Sequence, residues 1–199
     1  MSLRVWVGPA LIVVSLCSAP VTIRAAVEPD EGGSQMMIIY FASGAEPWRS
    51  IDDVVMGGVS HSTMTIEDGI AVFRGTVSLE NNGGFASVRS EPAAHDLSAF
   101  DGLVLRLRGD GRRYGVRLRT TASFDGPSYQ AMVEPEAGIW QEITIPFRDF
   151  EPVFRGRRIP GHPALDPSHV ETFGLLIADK QAGPFQLEIA WIAGFREGA

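Results

Sequence analysis

The sequence predicts an all-β fold, arranged as a single-domain β-sandwich. Short apolar alternations recur along the chain, and Gly, Pro, Asn and Asp separate them at intervals of roughly ten residues. Short strands with this spacing are typical of a sandwich or a barrel. No long stretch keeps a helical period, and neither an internal repeat nor a second domain is visible.

The predicted strands begin near residue 36. In each of them apolar residues alternate with polar ones or form a short apolar run. They cover residues 36–41, 64–66, 70–73, 85–88, 103–107, 114–118, 129–133, 140–145, 173–178 and 185–192. A polar, Gly-containing lead-in over residues 27–37 precedes a domain that we expect to span residues 38–196.

One pair of predicted strands flanks Gly109-Asp110-Gly111. Leucines alternate with Val and Arg before this turn, and apolar residues alternate with Gly and Arg after it. The segment therefore predicts a β-hairpin with an inward leucine face. We expect burial of Leu105, Leu107, Val116, Leu118, Trp140 and Ile143. We also expect a glycine at positive φ in this turn and in Gly57-Gly58.

Residues 1–26 are predicted to be a secretory signal peptide. A single arginine precedes an apolar run over residues 5–19, and Ala25-Ala26 offers a cleavage site. A retained membrane anchor is the alternative, because the apolar run approaches the ~20 residues that cross a bilayer, although prolines interrupt it. We expect a periplasmic or secreted protein with no integral membrane span after cleavage.

Composition narrows the chemistry of the mature chain. The single cysteine, Cys17, lies in the leader, so we expect no disulfide, thiolate metal site or cysteine nucleophile. The formal net charge of -7 speaks against nucleic-acid binding. The histidines show no i, i+4 pair, so no metal is expected. No cofactor is predicted either.

No catalytic residues are predicted. Ser60 lies in Gly58-Val59-Ser60-His61-Ser62, which lacks the final glycine and the strand–turn–helix context of a nucleophile elbow. A glycoside-processing enzyme would need paired carboxylates, and the candidates are Asp52, Asp53, Glu134, Glu136, Asp149 and Glu151. Neighbours on a strand point to opposite faces, so Asp52 and Asp53 would not line one site. An enzyme is therefore the weakest hypothesis.

The predicted hairpin offers a candidate binding surface. Its outer face would carry Arg106, Arg108, Arg117 and Arg119, with Tyr114 and Tyr129 nearby in the sequence. Arginine forks suit carboxylate, phosphate or sugar hydroxyls. Alternatively, Glu134, Glu142 or Glu188 on adjacent strands neutralise the arginines as a surface charge ladder.

Five motifs in series resemble the complex I intermediate-associated protein 30 family. They are residues 52–60 (Asp-Asp-Val-Val-Met-Gly-Gly-Val-Ser), residues 83–89 (Gly-Gly-Phe-Ala-Ser-Val-Arg), Asp96-Leu97-Ser98, Arg108-Gly109-Asp110-Gly111 with Tyr114, and Trp140 through Pro146-Phe147 to Phe150. The resemblance covers residues from about 38 to about 195. It implies a jelly roll of the galactose-binding-like type.

Mitochondrial members of this family assist assembly of the respiratory NADH:ubiquinone oxidoreductase. The resemblance therefore implies a non-catalytic, chaperone-like assembly factor, here an exported bacterial member, with a protein partner such as a respiratory complex component. The alternative is a glycan-binding module of the cell envelope. The motif residues expected to be structural are Asp53, Met56, Gly57, Gly58, Ser60, Gly84, Phe85, Gly109, Asp110, Gly111, Trp140 and Pro146.

Two segments leave alternatives open. Asp53 either bonds backbone amides of the turn at Gly57-Gly58, with Met56 filling the edge of the core, or holds a cation or acts as an acid. The irregular piece over residues 150–170 is either a functional loop or a crossover between sheets.

Overall fold

The computed structural model describes residues 35–43 and 47–198. The predicted leader, most of the lead-in and Gly44-Ala45-Glu46 lie outside these residues. The strands are β1 (Met36–Tyr40), β2 (Trp48–Ser50), β3 (His61–Glu67), β4 (Ile70–Val77), β5 (Ala86–Ser90), β6 (Gly102–Arg108), β7 (Tyr114–Arg119), β8 (Ser128–Val133), β9 (Gln141–Pro146), β10 (Glu151–Phe154), β11 (Arg157–Arg158), β12 (Thr172–Ile177) and β13 (Gly183–Phe195).

The strands form two antiparallel sheets, which confirms the predicted β-sandwich. The first sheet has the order β3-β4-β13-β6-β9, and β1 also pairs with β13. The second has the order β11-β10-β8-β7-β12-β5-β2. The inner faces of the two sheets enclose one main core.

Short 3-10 turns connect several strands. They span Phe41–Ser43, Asp53–Met56, Glu80–Asn82, Phe147–Asp149 and Pro167–His169. Among the described residues, no helix has both the length and the apolar character needed to span a membrane. Residues 150–170 contain β10, the edge strand β11 and the last of these turns.

The alternating leucines pack in the core as predicted. Leu105 and Leu107 on β6 and Val116 and Leu118 on β7 are buried. Trp140 and Ile143 are only half-buried, because Trp140 directly precedes β9 and Ile143 lies in it, and β9 is an edge strand of the first sheet.

The predicted hairpin is wrong. β6 pairs with β13 and β9 in the first sheet, whereas β7 pairs with β12 and β8 in the second. Gly109-Asp110-Gly111 thus carries the chain from one sheet to the other. Both strands still place their apolar side chains in the shared core. The alternation therefore predicts which face of a strand is buried, but not which strand pairs with it.

Candidate functional site

The four arginines predicted to share one face lie on two different sheets. Arg106 and Arg108 belong to β6 in the first sheet, and Arg117 and Arg119 belong to β7 in the second. The predicted common face is therefore wrong, because it depended on the hairpin.

Carboxylates neutralise the pair on the first sheet. Arg106 Nη1 lies 3.6 Å from Glu142 Oε1 on β9, the strand beside it. Arg108 Nε donates to Glu188 Oε2 at 2.6 Å on β13, and its guanidinium lies 5.1 Å from the Trp140 ring centroid. The charge-ladder alternative is correct for this half of the predicted surface.

The two tyrosines proposed for binding are core residues. Tyr114 is fully buried, and its hydroxyl donates to Asp110 Oδ1 at 2.8 Å. Burial and the Asp110 carboxylate both raise the pKa of Tyr114. Tyr129 is also buried, and its hydroxyl donates to the Pro163 carbonyl at 3.3 Å. Both side chains lie on the apolar inner face of the second sheet, so neither is part of the proposed surface.

Three arginines meet on the outer face of the second sheet. Arg89 on β5 and Arg117 on β7 both pair with Gly174 on β12, which lies between them. Arg119 is opposite Thr172, two residues away on the same strands. We call Arg89, Arg117 and Arg119 the arginine cluster. Arg89 was missed from the sequence, although its alternation with the buried Val88 placed it on an outer face.

Neutral acceptors hold the arginine cluster in place. Arg117 Nε donates to Gln130 Oε1 at 2.8 Å, Arg89 Nη1 to the Phe124 carbonyl at 3.2 Å, and Arg119 Nη1 to the Gly126 carbonyl at 2.8 Å. Burial, together with the neighbouring charges of the cluster, lowers the pKa of Arg117 to about 10. Burial and the charge of Arg119 lower the pKa of Arg89 to about 10 as well.

A second feature is the pair Asp52-Asp53, which fastens the turn between β2 and β3. Asp53 is fully buried and accepts from Ser60 N at 2.9 Å, Ser60 Oγ at 2.6 Å, Gly84 N at 2.7 Å and Phe85 N at 3.3 Å. Burial would raise the pKa of Asp53, but these hydrogen bonds outweigh it and hold the pKa below its usual value. The expected bonds to Gly57 and Gly58 amides are replaced by bonds to Ser60, Gly84 and Phe85.

Asp52 fastens the same turn to two other strands. Its carboxylate accepts from Ser62 N at 2.7 Å, Ser62 Oγ at 2.6 Å and Ser87 N at 2.9 Å. Ser62 belongs to β3 of the first sheet and Ser87 to β5 of the second, so one side chain links a strand of each sheet. Both carboxylates of the pair are thus used in hydrogen bonds within the fold.

The turn that these aspartates hold presents apolar side chains to solvent. Val54, Val55 and Met56 are 61%, 68% and 65% exposed. We call these three residues the apolar tip. The expectation that Met56 fills the core edge is wrong, because the 3-10 turn points this side chain outward and Asp53 takes the buried place.

The glycine turns are as predicted. Gly57 has φ 89° and Gly111 has φ 84°, a region that residues with a Cβ rarely adopt. Asp110 holds the segment between β6 and β7 in place. Its carboxylate accepts hydrogen bonds from the Tyr114 hydroxyl at 2.8 Å and from Gln186 N on β13 at 3.0 Å. Gly109 packs against Pro135, and Pro146 ends β9 opposite Gly102.

The fold defines a β-sandwich of the jelly-roll, galactose-binding-like class. A family model, Complex I intermediate-associated protein 30, matches residues 40–189. The chain therefore belongs to the complex I intermediate-associated protein 30 family.

Curated relatives agree with this assignment. The chain is 36% identical over 112 residues to the mitochondrial complex I intermediate-associated protein 30 of Mus musculus, an alignment that covers 53% of this chain and 34% of that protein. The Drosophila melanogaster protein of the same name is 30% identical over 68% of this chain and 54% of its own length. The chain thus spans about half, or less, of these relatives.

Solved structures share the fold. A family 11 carbohydrate-binding module from Clostridium thermocellum, in complex with a β-1,3-1,4-mixed-linked tetrasaccharide, superposes with a TM-score of 0.63 at 18% identity, covering 82% of this chain and 96% of the module. The agarase AgWH50C has a TM-score of 0.54 at 12% identity, covering 81% of this chain and 24% of the enzyme. At such identities the likeness concerns the fold alone.

Proposed function

We propose that this protein is a non-catalytic assembly factor that contacts a protein partner through the apolar tip. The observation that carries the proposal is the exposure of Val54, Val55 and Met56 on a turn fastened by two aspartates. Apolar residues grouped at the surface of a rigid element are typical of protein interfaces. A turn already ordered before binding loses less entropy when the partner docks. Neither a metal nor a cofactor takes part.

The partner we propose is a component of a respiratory complex. The names of the mouse and fly relatives support this choice, since both refer to intermediates of complex I. The motif over residues 52–60 contains the apolar tip together with its aspartate anchor.

The test compares tip variants with a matched surface variant. Val55→Ser combined with Met56→Ser removes two exposed apolar side chains, whereas Ile139→Ser removes one that is 51% exposed elsewhere. Tagged proteins are used to capture partners from detergent-solubilised membranes of the source organism, and respiratory subunits are quantified by mass spectrometry. In parallel, native gels measure assembled NADH:ubiquinone oxidoreductase in a deletion strain that carries each variant.

We expect the tip variant to lose subunit capture and to leave assembly defective, while Ile139→Ser behaves as the wild type. Melting temperatures of both variants should stay close to that of the wild type, because exposed side chains contribute little to stability. Equal capture and full complementation by the tip variant would refute the proposal.

Glycan binding is the second candidate function. It is favoured by Phe124, a side chain 62% exposed beside the arginine cluster, since aromatic rings and arginine forks both suit sugars. A glycan array separates the two functions. Binding that is lost in Phe124→Ala and kept in the tip variant would favour the glycan module.

We also propose that the protein is exported and that residues 1–26 are removed. The apolar run over residues 5–19 and the small residues at Ala25-Ala26 support this. N-terminal sequencing of the native protein should begin near Ala26 or Val27. An intact Met1 in the cytoplasmic fraction would contradict export.

The proposed domain spans residues 38–196. Limited proteolysis of the full chain should leave a resistant fragment close to these limits, because the strands from β1 to β13 share one core. Early cleavage inside a central strand such as β12 would contradict a single domain.

A further inference from the structure

The arginine cluster surrounds a buried hydroxyl that has no partner. Thr172 is 2% exposed, and within the described residues its Oγ1 makes no hydrogen bond. Thr172 pairs with Arg119 and lines a depression with Arg89, Arg117 and Gly174. A buried polar atom without a partner destabilises the folded protein. The hydroxyl therefore suits a ligand that enters this depression.

The charges of the cluster are also left unbalanced. Most arginines of the described region form carboxylate pairs, as in Arg49–Glu91, Arg74–Glu67 and Arg148–Glu197. No salt bridge to a carboxylate is present at any of the three cluster arginines in the part of the chain that the structure describes. Asp125, the acid that influences Arg119, is itself paired with Arg155 at 2.9 Å. Grouped like charges are unfavourable unless an anion lies between them.

The backbone leaves space for such an anion. Gly174 occupies the position between Arg89 and Arg117, so no side chain separates the two guanidinium groups. A Cβ placed there would lie 3.1 Å from the Val88 carbonyl and 3.5 Å from Arg117 Cβ. Each guanidinium uses one nitrogen in the bonds given above, and an arginine has further N–H donors for a planar anion.

The size of the depression favours a small group. Its cavity measures about 20 Å³, roughly the space of one or two water molecules. This volume is close to that of a carboxylate group and too small for a sugar ring. A neighbouring cavity of about 180 Å³, lined by Ile51, Pro92 and Phe124 among others, has room for the rest of a side chain and its backbone. The guanidinium of Arg89 already lies 5.5 Å from the Phe124 ring centroid, which leaves less of the ring for stacking on a sugar.

We propose that Arg89, Arg117, Arg119 and Thr172 bind a carboxylate side chain from an acidic segment of the partner protein. The arginine forks hold the two carboxylate oxygens, and the Thr172 hydroxyl donates a further hydrogen bond. This proposal rests on the proposed protein-binding function, of which it names a second contact. Asp52, which holds the turn of the apolar tip, accepts a hydrogen bond from Ser87 N on β5, two residues before Arg89. The apolar tip and the arginine cluster therefore lie on neighbouring parts of the surface.

The experiment uses the full chain and a labelled peptide of alternating Glu and Gly residues. A Gln–Gly peptide of equal length and an oligogalacturonate are the comparison ligands, and fluorescence polarisation measures binding at low and high salt. We expect the Glu peptide to bind, the Gln peptide to fail, and the affinity to weaken as salt rises. Binding of the oligogalacturonate in preference to the Glu peptide would overturn the proposal in favour of an acidic glycan.

Two substitutions test the site itself. Arg117→Gln should weaken the Glu peptide at least about tenfold, as expected when one charged fork is lost, whereas Arg148→Gln, an exposed arginine elsewhere, should not. Thr172→Val should weaken binding and leave the melting temperature equal or higher, because it replaces an unpaired hydroxyl by an isosteric methyl group. A purely structural role of Thr172 would not give weaker binding together with an equal or higher melting temperature.

The two proposals can fail separately. The tip variant Val55→Ser with Met56→Ser should keep full affinity for the Glu peptide while it loses the protein partner. Unchanged peptide affinity in both Arg117→Gln and Thr172→Val, or no binding of the Glu peptide by the wild type, would overturn the carboxylate site and leave the proposed function standing. If Arg117→Gln fails to fold, the Thr172→Val result decides alone.

Discussion

Gly58 lies so close to Asp53 that a Cβ on the glycine would be 2.3 Å from the carboxylate Oδ1. Gly58→Ala should therefore displace the buried carboxylate and destabilise the fold by roughly 3 kcal/mol. The adjacent Gly57 is the matched control, since a Cβ there meets nothing within 4 Å and only its φ of 89° resists substitution. Gly57→Ala should cost about 1–2 kcal/mol. Denaturant melts measure both, and equal costs would contradict the close-contact explanation.

Asp53→Asn should destabilise the protein and change its response to acid. The amide of asparagine replaces one accepting oxygen by an NH2 group, which would face the donors Gly84 N and Ser60 Oγ. We expect the free energy of unfolding at neutral pH to fall by about 3 kcal/mol. Because the folded pKa of Asp53 lies below its ordinary value of 3.8, its carboxylate stabilises the fold above that pH and loses this effect as the pH falls further. The stability gap between wild type and variant should narrow as the pH falls below 3.8, as urea melts over a pH series will show.

Leu107→Ala should cost about 2–5 kcal/mol, because Leu107 is fully buried between the sheets and truncation leaves a cavity. Leu79→Ala serves as its control, since Leu79 is 47% exposed and its removal should cost under about 0.5 kcal/mol. A cost below about 1 kcal/mol for Leu107→Ala in the same melts would be inconsistent with the core described here.

The arginines of the two sheets should behave differently. Arg106→Ala removes a partly exposed ion pair with Glu142 and should cost less than about 1 kcal/mol. Because this charge is already neutralised, the variant should bind the Glu peptide as the wild type does. Arg117→Ala should lose that binding, because it removes one of the three guanidinium groups of the arginine cluster. Thermal melts combined with fluorescence polarisation check both variants.

The period-two alternation was enough to predict the β-sandwich and most of its strands, because the alternation of apolar and polar residues within a strand determines which of its faces is buried. It identified Leu105, Leu107, Val116 and Leu118 as core residues. It did not identify which strands pair. The partner of β7 is β12, whose residues lie far along the chain, and no local pattern specifies so distant a contact.

The candidate site was predicted less well for the same reason. Arg117 was named and Arg89 was not, because their proximity depends on Gly174 on the strand between them. Tyr114 was offered for binding although its own alternation with Gly115 and Arg117 placed it on the inner face. The aspartates were assigned a structural role from their Gly-rich context, but their true partners, such as Gly84 and Ser87, come from other strands.

The strand β13 has a consequence for the timing of folding. It pairs with β4, with β6 and with β1, whereas β3 with β4 and β6 with β9 otherwise form separate pieces of the first sheet. During synthesis those pieces have no common strand to join until residues 183–195 leave the ribosome. Pairing between segments so distant in sequence also makes closure of the sheet slow. This strand order therefore postpones completion of the first sheet until synthesis of the domain is nearly finished.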